Sequence, residues 1–221
     1  MVILNEYGDK LDQTKSARGS NVSNQRIDDL DQACLDAVTE HVKSNDHCHV
    51  VDLGCGSASQ SFRLAELGAQ VTAIDLSIDI EYKHHNGIYI EKDFRDITAH
   101  DFKSSIDVLY SQRSLHYLRY QEMMNLLRML YNLMSPSAMI FMSLAGYDTE
   151  YGLTYPDRNK KLEDRFTMVS PDMQKKHGIF HPLATYKKSE VFNILTDLGF
   201  KNIQVTQSDF GNIKAIATKP S

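Results

Sequence analysis

The 221-residue chain lacks several features that mark membrane, secreted or metal-binding proteins. No apolar run approaches the roughly 20 residues that cross a bilayer, and residues 1–6 lack the basic flank and length of a secretion signal. The three cysteines are an odd number without metal-ligand spacing. These absences predict reduced thiols in a cytoplasmic protein with no metal site and no membrane segment.

The chain also lacks an excess of positive charge. The formal net charge is −5, and no broad basic stripe interrupts the sequence, which argues against a nucleic-acid partner. Hydrophobic residues make up 42% and charged residues 24%, so most of the chain is expected to be globular. Its length suits one large domain, or a core domain with an insertion, and the oligomeric state stays open.

Short apolar runs alternate with helix-like segments along most of the chain. The predicted strands lie near residues 48–53, 71–74, 88–90, 106–110, 139–144, 201–207 and 212–218. The predicted helices lie near residues 27–42, 57–67, 120–134 and 187–198. This alternation predicts an α/β fold with a doubly wound, mostly parallel sheet covered on both faces. The turn at 208–212 suits a hairpin-like return, which would make the last strand antiparallel.

Two segments depart from this alternation. Residues 1–24 are polar and show little periodicity, so we expect a mobile N-terminal lid segment. Residues 145–186 mix aromatic, charged, proline and glycine positions without a clear period. An excursion of that length in a compact domain is usually functional. We therefore expect a main domain over residues 25–221, with a lid insertion after the fifth strand that covers the substrate.

The most informative stretch is residues 50–57, where an apolar run leads into two glycines that flank Cys55. Gly54 and Gly56 can adopt conformations closed to other residues, and they leave no side chain between the main chain and a ligand. The unpaired N–H groups of the helix that follows can receive an anionic group. The stretch therefore predicts a buried strand that turns sharply into a helix beneath a cofactor.

Acidic residues follow the next two predicted strands. Asp75 comes 21 residues after Gly54, and Asp93-Phe94 follows the third strand. Because the carboxyl ends of adjacent strands line one crevice in such a sheet, Asp75 could bind a ribose. Asp93 could accept from an exocyclic amine, and Phe94 could flank a purine. Either acid alone could instead cap a turn, but the three features together predict an adenosine pocket.

Two common nucleotide motifs do not match. A dinucleotide fingerprint needs a third glycine where Ser59 stands, and no P-loop lysine is near. The run Val-Asp-Leu-Gly-Cys-Gly at 51–56, followed by Ile-Asp-Leu-Ser at 74–77, closely resembles class I S-adenosylmethionine-dependent methyltransferases. The resemblance covers about residues 48–145, with Ala58 where many members have a third glycine. It implies S-adenosylmethionine as cofactor and a seven-stranded Rossmann-like sheet.

The resemblance also implies roles for individual residues. Asp75 would hold the ribose, Leu76 would lie against the adenine, and Asp52 would steady the glycine loop or bind through water. Cys55 would contribute its backbone and small size rather than a nucleophile. The residues expected at the cofactor are Asp52, Gly54, Cys55, Gly56, Asp75, Leu76, Asp93, Phe94, Ser111 and Gln112.

A Leu-His pair after the fourth strand makes His116 the first catalytic candidate, since many small-molecule members of the family have a similar pair. A neutral imidazole could remove a proton from an attacking hydroxyl or amine. Alternatively, His116 packs the helix start and bonds to backbone. The expected substrate-binding residues are Arg113, His116, Tyr151, Tyr155 and His181, although the tyrosines could instead pack the insertion onto the sheet.

Residues 153–188 carry eight basic and four acidic residues, a net charge of +4, whereas the remaining chain carries −9. This contrast suggests that the insertion, including Lys160 and Lys161, attracts an anionic acceptor, although a solvated surface would look the same. The absence of an Asn/Asp-Pro-Pro-aromatic motif after the fourth strand argues against adenine or a glutamine amide as acceptor. We expect methyl transfer to oxygen or nitrogen of a small molecule. The alternatives are tRNA or a peptide as acceptor, or a non-catalytic S-adenosylmethionine-binding protein.

Overall fold

The computed structural model describes residues 27–78 and 83–221, and the expected N-terminal lid segment at 1–24 lies outside them. The described part contains one seven-stranded sheet with the strand order β3-β2-β1-β4-β5-β7-β6. The strands are β1 (His49–Leu53), β2 (Gln70–Asp75), β3 (Gly87–Glu91), β4 (Ile106–Gln112), β5 (Met134–Leu144), β6 (Lys201–Gln207) and β7 (Ile213–Thr218). Strands β1 to β5 pair in parallel, and β7 pairs antiparallel with both β5 and β6. The predicted doubly wound sheet with an antiparallel last strand is confirmed.

Helices cover both faces of this sheet. They are α1 (Asp29–Ser44), α2 (Ser59–Glu66), α3 (Tyr120–Leu133), α4 (Glu150–Leu153), α5 (Pro171–His177) and α6 (Lys188–Leu198). Helices α1 and α2 contribute to an apolar cluster with Val50 and Val71 on one face. Helices α3 and α6 contribute to the cluster that contains Val51 and Ile140 on the other. Among the described residues, no helix has both the length and the apolar character needed to span a bilayer.

Reciprocal hydrogen bonds determine where α1 begins. The Asp28 carboxylate accepts from the backbone N–H groups of Leu30 and Asp31, at 2.9 and 3.1 Å. In return, the Asp31 carboxylate accepts from the N–H of Asp28 at 2.8 Å. This capping box satisfies backbone donors that the first turn of a helix leaves unpaired. The start of α1 is therefore held at a defined place beside the sheet.

The fifth strand begins earlier than the sequence indicates. The sequence predicts a helix near 120–134 and a strand near 139–144, but α3 ends at Leu133 and the extended chain of β5 passes through Pro136. Ile106 pairs with Met134, whereas Val108 pairs with Met139, so the strand bulges between these two pairs. A bulge accommodates a proline because the residues within it make no regular ladder bonds.

The insertion over 145–186 is ordered around a small core of its own. Its buried apolar members are Ala145, Tyr151, Tyr155, Val169, Ile179 and Leu183. The N–H of Ala184 donates to the carbonyl of His116 at 2.9 Å, and that of Tyr147 to the carbonyl of Tyr186 at 2.7 Å. The first bond holds the insertion against the loop after β4, and the second joins the two ends of the insertion to each other.

Candidate functional site

The order of the strands creates a crevice between β1 and β4. The chain proceeds from β1 to β2 on one side, whereas β4 pairs with β1 on the other, in the register Asp52 beside Tyr110. In open α/β sheets, ligands bind beyond the carboxyl ends of the strands where the strand order reverses. The predicted cofactor residues lie in the last residues of these strands or directly after them.

Left-handed backbone conformations shape the glycine turn after β1. Gly54 has a φ of +82° and Gly56 a φ of +56°, and both angles favour glycine. A Cβ atom on Gly54 would lie only 1.9 Å from the hydroxyl oxygen of Ser114 and 3.6 Å from the ring of Phe94. Glycine is therefore required at position 54 because the loop after β4 packs directly onto it. Ser114 was not anticipated from the sequence.

Ala58, where many family members have a third glycine, also has a left-handed conformation. It is fully buried, its φ is +66°, and it precedes the first residue of α2. A non-glycine residue in this region carries a conformational cost of roughly 1–2 kcal/mol. The turn thus keeps the backbone geometry of a third glycine, with a buried methyl group added.

Asp75 joins the end of β2 to the glycine turn. Its carboxylate accepts from the N–H of Gly56 at 2.9 Å and from the N–H of Leu76 at 2.7 Å. Leu76 itself is 37% exposed. A half-buried carboxylate and an exposed apolar side chain thus lie side by side at this edge of the sheet.

Asp93 and Phe94 form the next wall of the crevice. The Asp93 carboxylate accepts from the backbone N–H of Arg95 at 3.0 Å and from its guanidinium at 2.9 and 2.6 Å. Phe94 is half-buried and approaches Gly54 across the crevice. The structure therefore brings Asp75, Asp93 and Phe94 to the same edge as the glycine turn.

Asp52 lies beneath the turn rather than on its surface. It is 1% exposed and accepts a hydrogen bond from the hydroxyl of Ser61 in α2 at 2.5 Å. Burial, assisted by the negative charges of Asp75 and Asp31, raises the pKa of Asp52 to about 7, although the Ser61 bond lowers it. Burial likewise raises the pKa of the Cys55 thiol well above its usual value. A reactive thiolate is not available there.

Ser111 and Gln112, expected at the cofactor, use their side chains within the protein. The Ser111 hydroxyl donates to the carbonyl of Leu53 at 3.0 Å, and the Gln112 amide donates to the carboxylate of Asp28 at 2.7 Å. These bonds tie the end of β4 to β1 and to the start of α1. Any contact of Ser111 or Gln112 with a cofactor would have to coexist with these bonds.

A buried acid near this site was not predicted. Asp31, at 2% exposure, accepts a hydrogen bond from the hydroxyl of Tyr110. Burial and the nearby charge of Asp28 raise the pKa of Asp31. The sequence gives only a weak signal for this pair, because 79 residues separate its members.

His116 is buried at 4% exposure, and its Nδ1 accepts a hydrogen bond from the N–H of Ala145 at 3.2 Å. Burial, with a smaller effect of the Arg113 charge, lowers the pKa of His116 to about 3. A neutral imidazole that accepts at Nδ1 carries its proton on Nε2, so Nε2 is a donor. This arrangement favours the structural alternative over the general base.

Two of the tyrosines expected at the substrate lie in the core of the insertion. Tyr155 is 3% exposed, donates to the carbonyl of Leu183, and accepts from the N–H of Thr167 at 2.8 Å. Tyr151 is 6% exposed, and its hydroxyl donates to Asn212 at 3.4 Å. The geometry corresponds to the alternative in which these rings pack the insertion, since their hydroxyls already have partners.

Arg113 and His181, which were also expected to bind the substrate, are not buried in the core of the insertion. Arg113 has a left-handed φ of +52°, uncommon for a non-glycine residue, and follows the end of β4. His181 is exposed and lines a cleft of about 220 Å³ between the insertion, the loop after β3 and the start of α3. The cleft is lined by Arg95, Tyr117, Arg119, Glu122, Phe166, His181 and Pro182. The sequence did not indicate this cleft, whose walls come from three distant segments.

The crevice suits the cofactor that the family resemblance implies. The turn at Gly54 and Gly56 allows close approach of a ligand to the backbone, the half-buried Asp75 carboxylate is an acceptor, and the exposed Leu76 is an apolar surface. An adenosine ligand requires features of this kind. Among the residues that the structure describes, no three His, Cys, Asp or Glu side chains are grouped to hold a metal ion.

Comparison with known proteins gives a consistent result. A family model described as a methyltransferase domain matches residues 50–137. A cypemycin N-terminal methyltransferase from Streptomyces sp. is 35% identical over 123 residues, which cover 48% of this chain and 49% of the relative. The chain thus spans about half the length of this curated relative.

Two crystal structures share the fold at low sequence identity. An S-adenosylmethionine-dependent methyltransferase from Mesorhizobium loti has a TM-score of 0.61 and 19% identity, over 86% of this chain and 100% of that one. A Burkholderia thailandensis 1,6-didemethyltoxoflavin N1-methyltransferase, bound to its acceptor and S-adenosylhomocysteine, has a TM-score of 0.60 and 14% identity, over 87% and 79%. The motif, the strand order and these matches agree. Residues 50–137 therefore match a methyltransferase domain, and the chain has the fold of class I S-adenosylmethionine-dependent methyltransferases.

Proposed function

We propose that this protein transfers a methyl group from S-adenosylmethionine to oxygen or nitrogen of a small-molecule acceptor. The observation that carries the proposal is the Asp75 carboxylate bonded to the glycine turn at Gly56, beside the exposed Leu76. A carboxylate fixed at this edge can accept hydrogen bonds from both hydroxyls of a ribose, because each of its two oxygens can accept more than one hydrogen bond. Asp93 and Phe94 would bind the base.

Methyl transfer from S-adenosylmethionine requires mainly that the protein align the acceptor with the donor. The sulfonium of the donor supplies an already activated methyl group, so the protein must orient the acceptor and exclude water. Gly54, packed under Ser114, and the buried Asp52 make the turn rigid. The insertion, bonded to the loop after β4 through His116, would form the cover over the acceptor. His116 would then position this cover, while an acceptor amine that is already neutral needs no base.

A small molecule suits the space between the insertion and the domain. The cleft of about 220 Å³ accommodates a single ring rather than a folded macromolecule. The structurally similar Burkholderia enzyme has a small heterocycle as its acceptor. These points support the small-molecule acceptor without identifying it.

A peptide amine is the second candidate acceptor. The relative with 35% identity methylates the N-terminus of cypemycin, so a peptide α-amine is favoured by a specific match. Exposed Leu153 and Phe180, at 60% and 45%, would offer apolar contacts for a peptide along the insertion. A tRNA acceptor is disfavoured by the net charge of −5.

Product release separates these candidates from one another and from a non-catalytic binding protein. The protein would be incubated with S-adenosylmethionine and three acceptor pools: a small-molecule filtrate of a cell extract, a peptide fraction, and bulk tRNA. We expect release of S-adenosylhomocysteine with the filtrate, and slower release from Asp75→Ala protein at the same concentration of S-adenosylmethionine. Release only with peptides would select the second candidate, and no release from any pool would contradict catalysis.

Two lysines of the insertion, Lys160 and Lys161, were expected to attract an anionic acceptor. Lys160 pairs with Asp157 at 3.0 Å, and neither Lys160 nor Lys161 lines the cleft. Charge reversal of both lysines should raise the Michaelis constant of an anionic acceptor if they attract it. An unchanged constant would remove these two lysines from the acceptor site.

A further inference from the structure

The cleft beside the crevice has walls fixed by backbone hydrogen bonds. Thr167 and Leu183 exchange two such bonds, at 3.2 and 3.0 Å, which hold the segments carrying Phe166 and Pro182 side by side. The bond from Ala184 to the carbonyl of His116 then anchors this pair of segments to the loop after β4. Because these contacts already exist in the protein alone, the cleft is preformed.

The cleft also adjoins the residues proposed for the cofactor. Arg95 follows Phe94 directly, and Tyr117 lies beside His116 with ring centroids 4.5 Å apart. A ligand in the cleft would therefore lie next to the base-binding wall and to the loop after β4. This position fits one end of a methyl acceptor.

The two guanidinium groups of the cleft differ in their partners. Arg95 is held by Asp93, which occupies its Nε and Nη2 donors. Arg119 is exposed, and its guanidinium lies 4.9 Å from the centre of the Phe166 ring. No described residue accepts a hydrogen bond from the Arg119 guanidinium. Stacking on a ring leaves the planar fork of donors free to bind a carboxylate in a bidentate manner.

The charges of the cleft limit which anion would bind. Glu122 lines the same cleft and accepts from the backbone N–H of Arg119 at 2.8 Å, so the cleft also contains a negative charge. With Asp93 on Arg95, two carboxylates balance two guanidinium groups. Because these charges cancel, the cleft as a whole does not attract anions through a positive electrostatic field. An anion would instead be recognised through directed hydrogen bonds from a guanidinium group. A singly charged carboxylate suits it better than a doubly charged phosphate.

We propose that this cleft binds a carboxylate on a flat ring, with Arg119 holding the carboxylate and Phe166 and Tyr117 contacting the ring. The proposal rests on the proposed function, since it names the acceptor class of the same site: an aromatic acid. The specificity lies in Arg119, a residue of the main domain, rather than in the lysines of the insertion.

Calorimetric titration tests this proposal with benzoate as the probe, in the presence of saturating S-adenosylhomocysteine. Benzamide has the same shape without the charge, and phenyl phosphate has the ring with a dianion. We expect benzoate to bind wild-type protein at least tenfold more tightly than either compound. The proposal is overturned if benzoate and benzamide bind equally, if neither binds, or if phenyl phosphate binds most tightly.

Variants assign the preference to a residue. Arg119→Gln should abolish the tenfold preference for benzoate over benzamide. Phe166→Leu should weaken the binding of both compounds by about threefold or more. Lys175→Gln removes an exposed positive charge outside the cleft and should leave the preference intact. Persistence of the preference in Arg119→Gln would overturn the assignment. If that variant does not fold, Arg119→Lys, which keeps the charge but loses the planar fork, should reduce the advantage.

The cofactor titration keeps the two proposals apart. S-adenosylhomocysteine is first titrated alone into the wild-type protein. Failure to bind would overturn the proposed function, whereas binding of S-adenosylhomocysteine without a benzoate preference would overturn only the carboxylate site.

Discussion

The carboxylate of Asp75 accepts a hydrogen bond from the backbone N–H of Gly56 at 2.9 Å, which ties the end of β2 to the glycine turn after β1. The same turn is bonded to β2 a second time, since the N–H of Gly54 donates to the carbonyl of Ile74 at 2.7 Å. Asp75 therefore holds the turn in shape, and the same carboxylate is the group that we propose binds the ribose. Both effects should be lost together when this side chain is removed.

Asp75→Ala should weaken the binding of S-adenosylhomocysteine by at least about 1–3 kcal/mol, through the loss of charge-assisted hydrogen bonds. Isothermal titration calorimetry measures the change. Asp197→Ala, which removes an exposed acid from α6, is the matched control and should bind as the wild type does. Wild-type affinity in Asp75→Ala would show that the ribose site is misassigned.

Replacing His116 should affect stability first. His116→Ala leaves the buried N–H of Ala145 without its acceptor, a loss of about 1–3 kcal/mol in the free energy of unfolding. Because the pKa of His116 is lowered to about 3, the wild-type rate should show no step near pH 6.5 that belongs to this residue.

His116→Asn separates the structural role from the catalytic one, since its amide oxygen can accept from Ala145. A structural role predicts nearly wild-type turnover per folded molecule in this variant. Loss of about 100-fold or more in turnover, with cofactor affinity intact, would instead support general-base catalysis by His116.

The buried carboxyl of Asp52 should make stability depend on pH. Its pKa is about 7 in the folded protein and near 3.9 in an unfolded chain. The stabilisation it contributes is therefore fully present below about pH 4 and is lost as the pH rises through 7. Asp52→Asn does not titrate, so its stability relative to the wild type should increase by about 2–3 kcal/mol between pH 5 and pH 8.

Urea unfolding of both proteins at pH 5 and pH 8 measures this difference. The asparagine oxygen can still accept from Ser61, so the variant keeps the buried hydrogen bond. If the free energies of unfolding of the wild type and Asp52→Asn differ by the same amount at pH 5 and at pH 8, the pKa of Asp52 is not raised.

The stability of the protein should depend on a buried ion pair that joins the insertion to α6. Arg165, at 3% exposure, donates to both carboxylate oxygens of Glu190 at 2.9 Å and to the carbonyl of Thr185 at 2.8 Å. Arg165→Met leaves these acceptors unpaired and should lower the free energy of unfolding by about 3 kcal/mol. Lys160→Met breaks an exposed pair and should cost less than about 1 kcal/mol. Equal losses in urea unfolding would argue against a special role for Arg165.

Local patterns were sufficient for the sheet and the glycine turn. Strand-length apolar runs and the spacing from Gly54 to Asp75 predict β1, β2 and the edge where their carboxyl ends meet, because parallel strands place these ends together. Element boundaries were less certain. Pro136 lies inside β5, since a bulge opposite Ile106 and Val108 relieves the ladder of its usual bonds.

Local sequence patterns did not predict the burial and hydrogen-bond partners of individual side chains. His116 and Tyr155 have the residue types of a catalytic site, but each is buried and bonded to a backbone group from a segment 28 or 29 residues away. Whether such a group faces a ligand or the core depends on which distant segment packs against it.

The sequence by itself determined the doubly wound sheet, the resemblance to class I S-adenosylmethionine-dependent methyltransferases, and the edge of the sheet at which the methyl donor is expected, because these follow from glycines, acids and apolar runs that act over a few residues. Only the tertiary structure decided the burial of His116, the partners of Asp75, and the cleft between Arg119 and Phe166. These features arise where segments far apart in the chain come into contact, and no local pattern records which contacts those segments make.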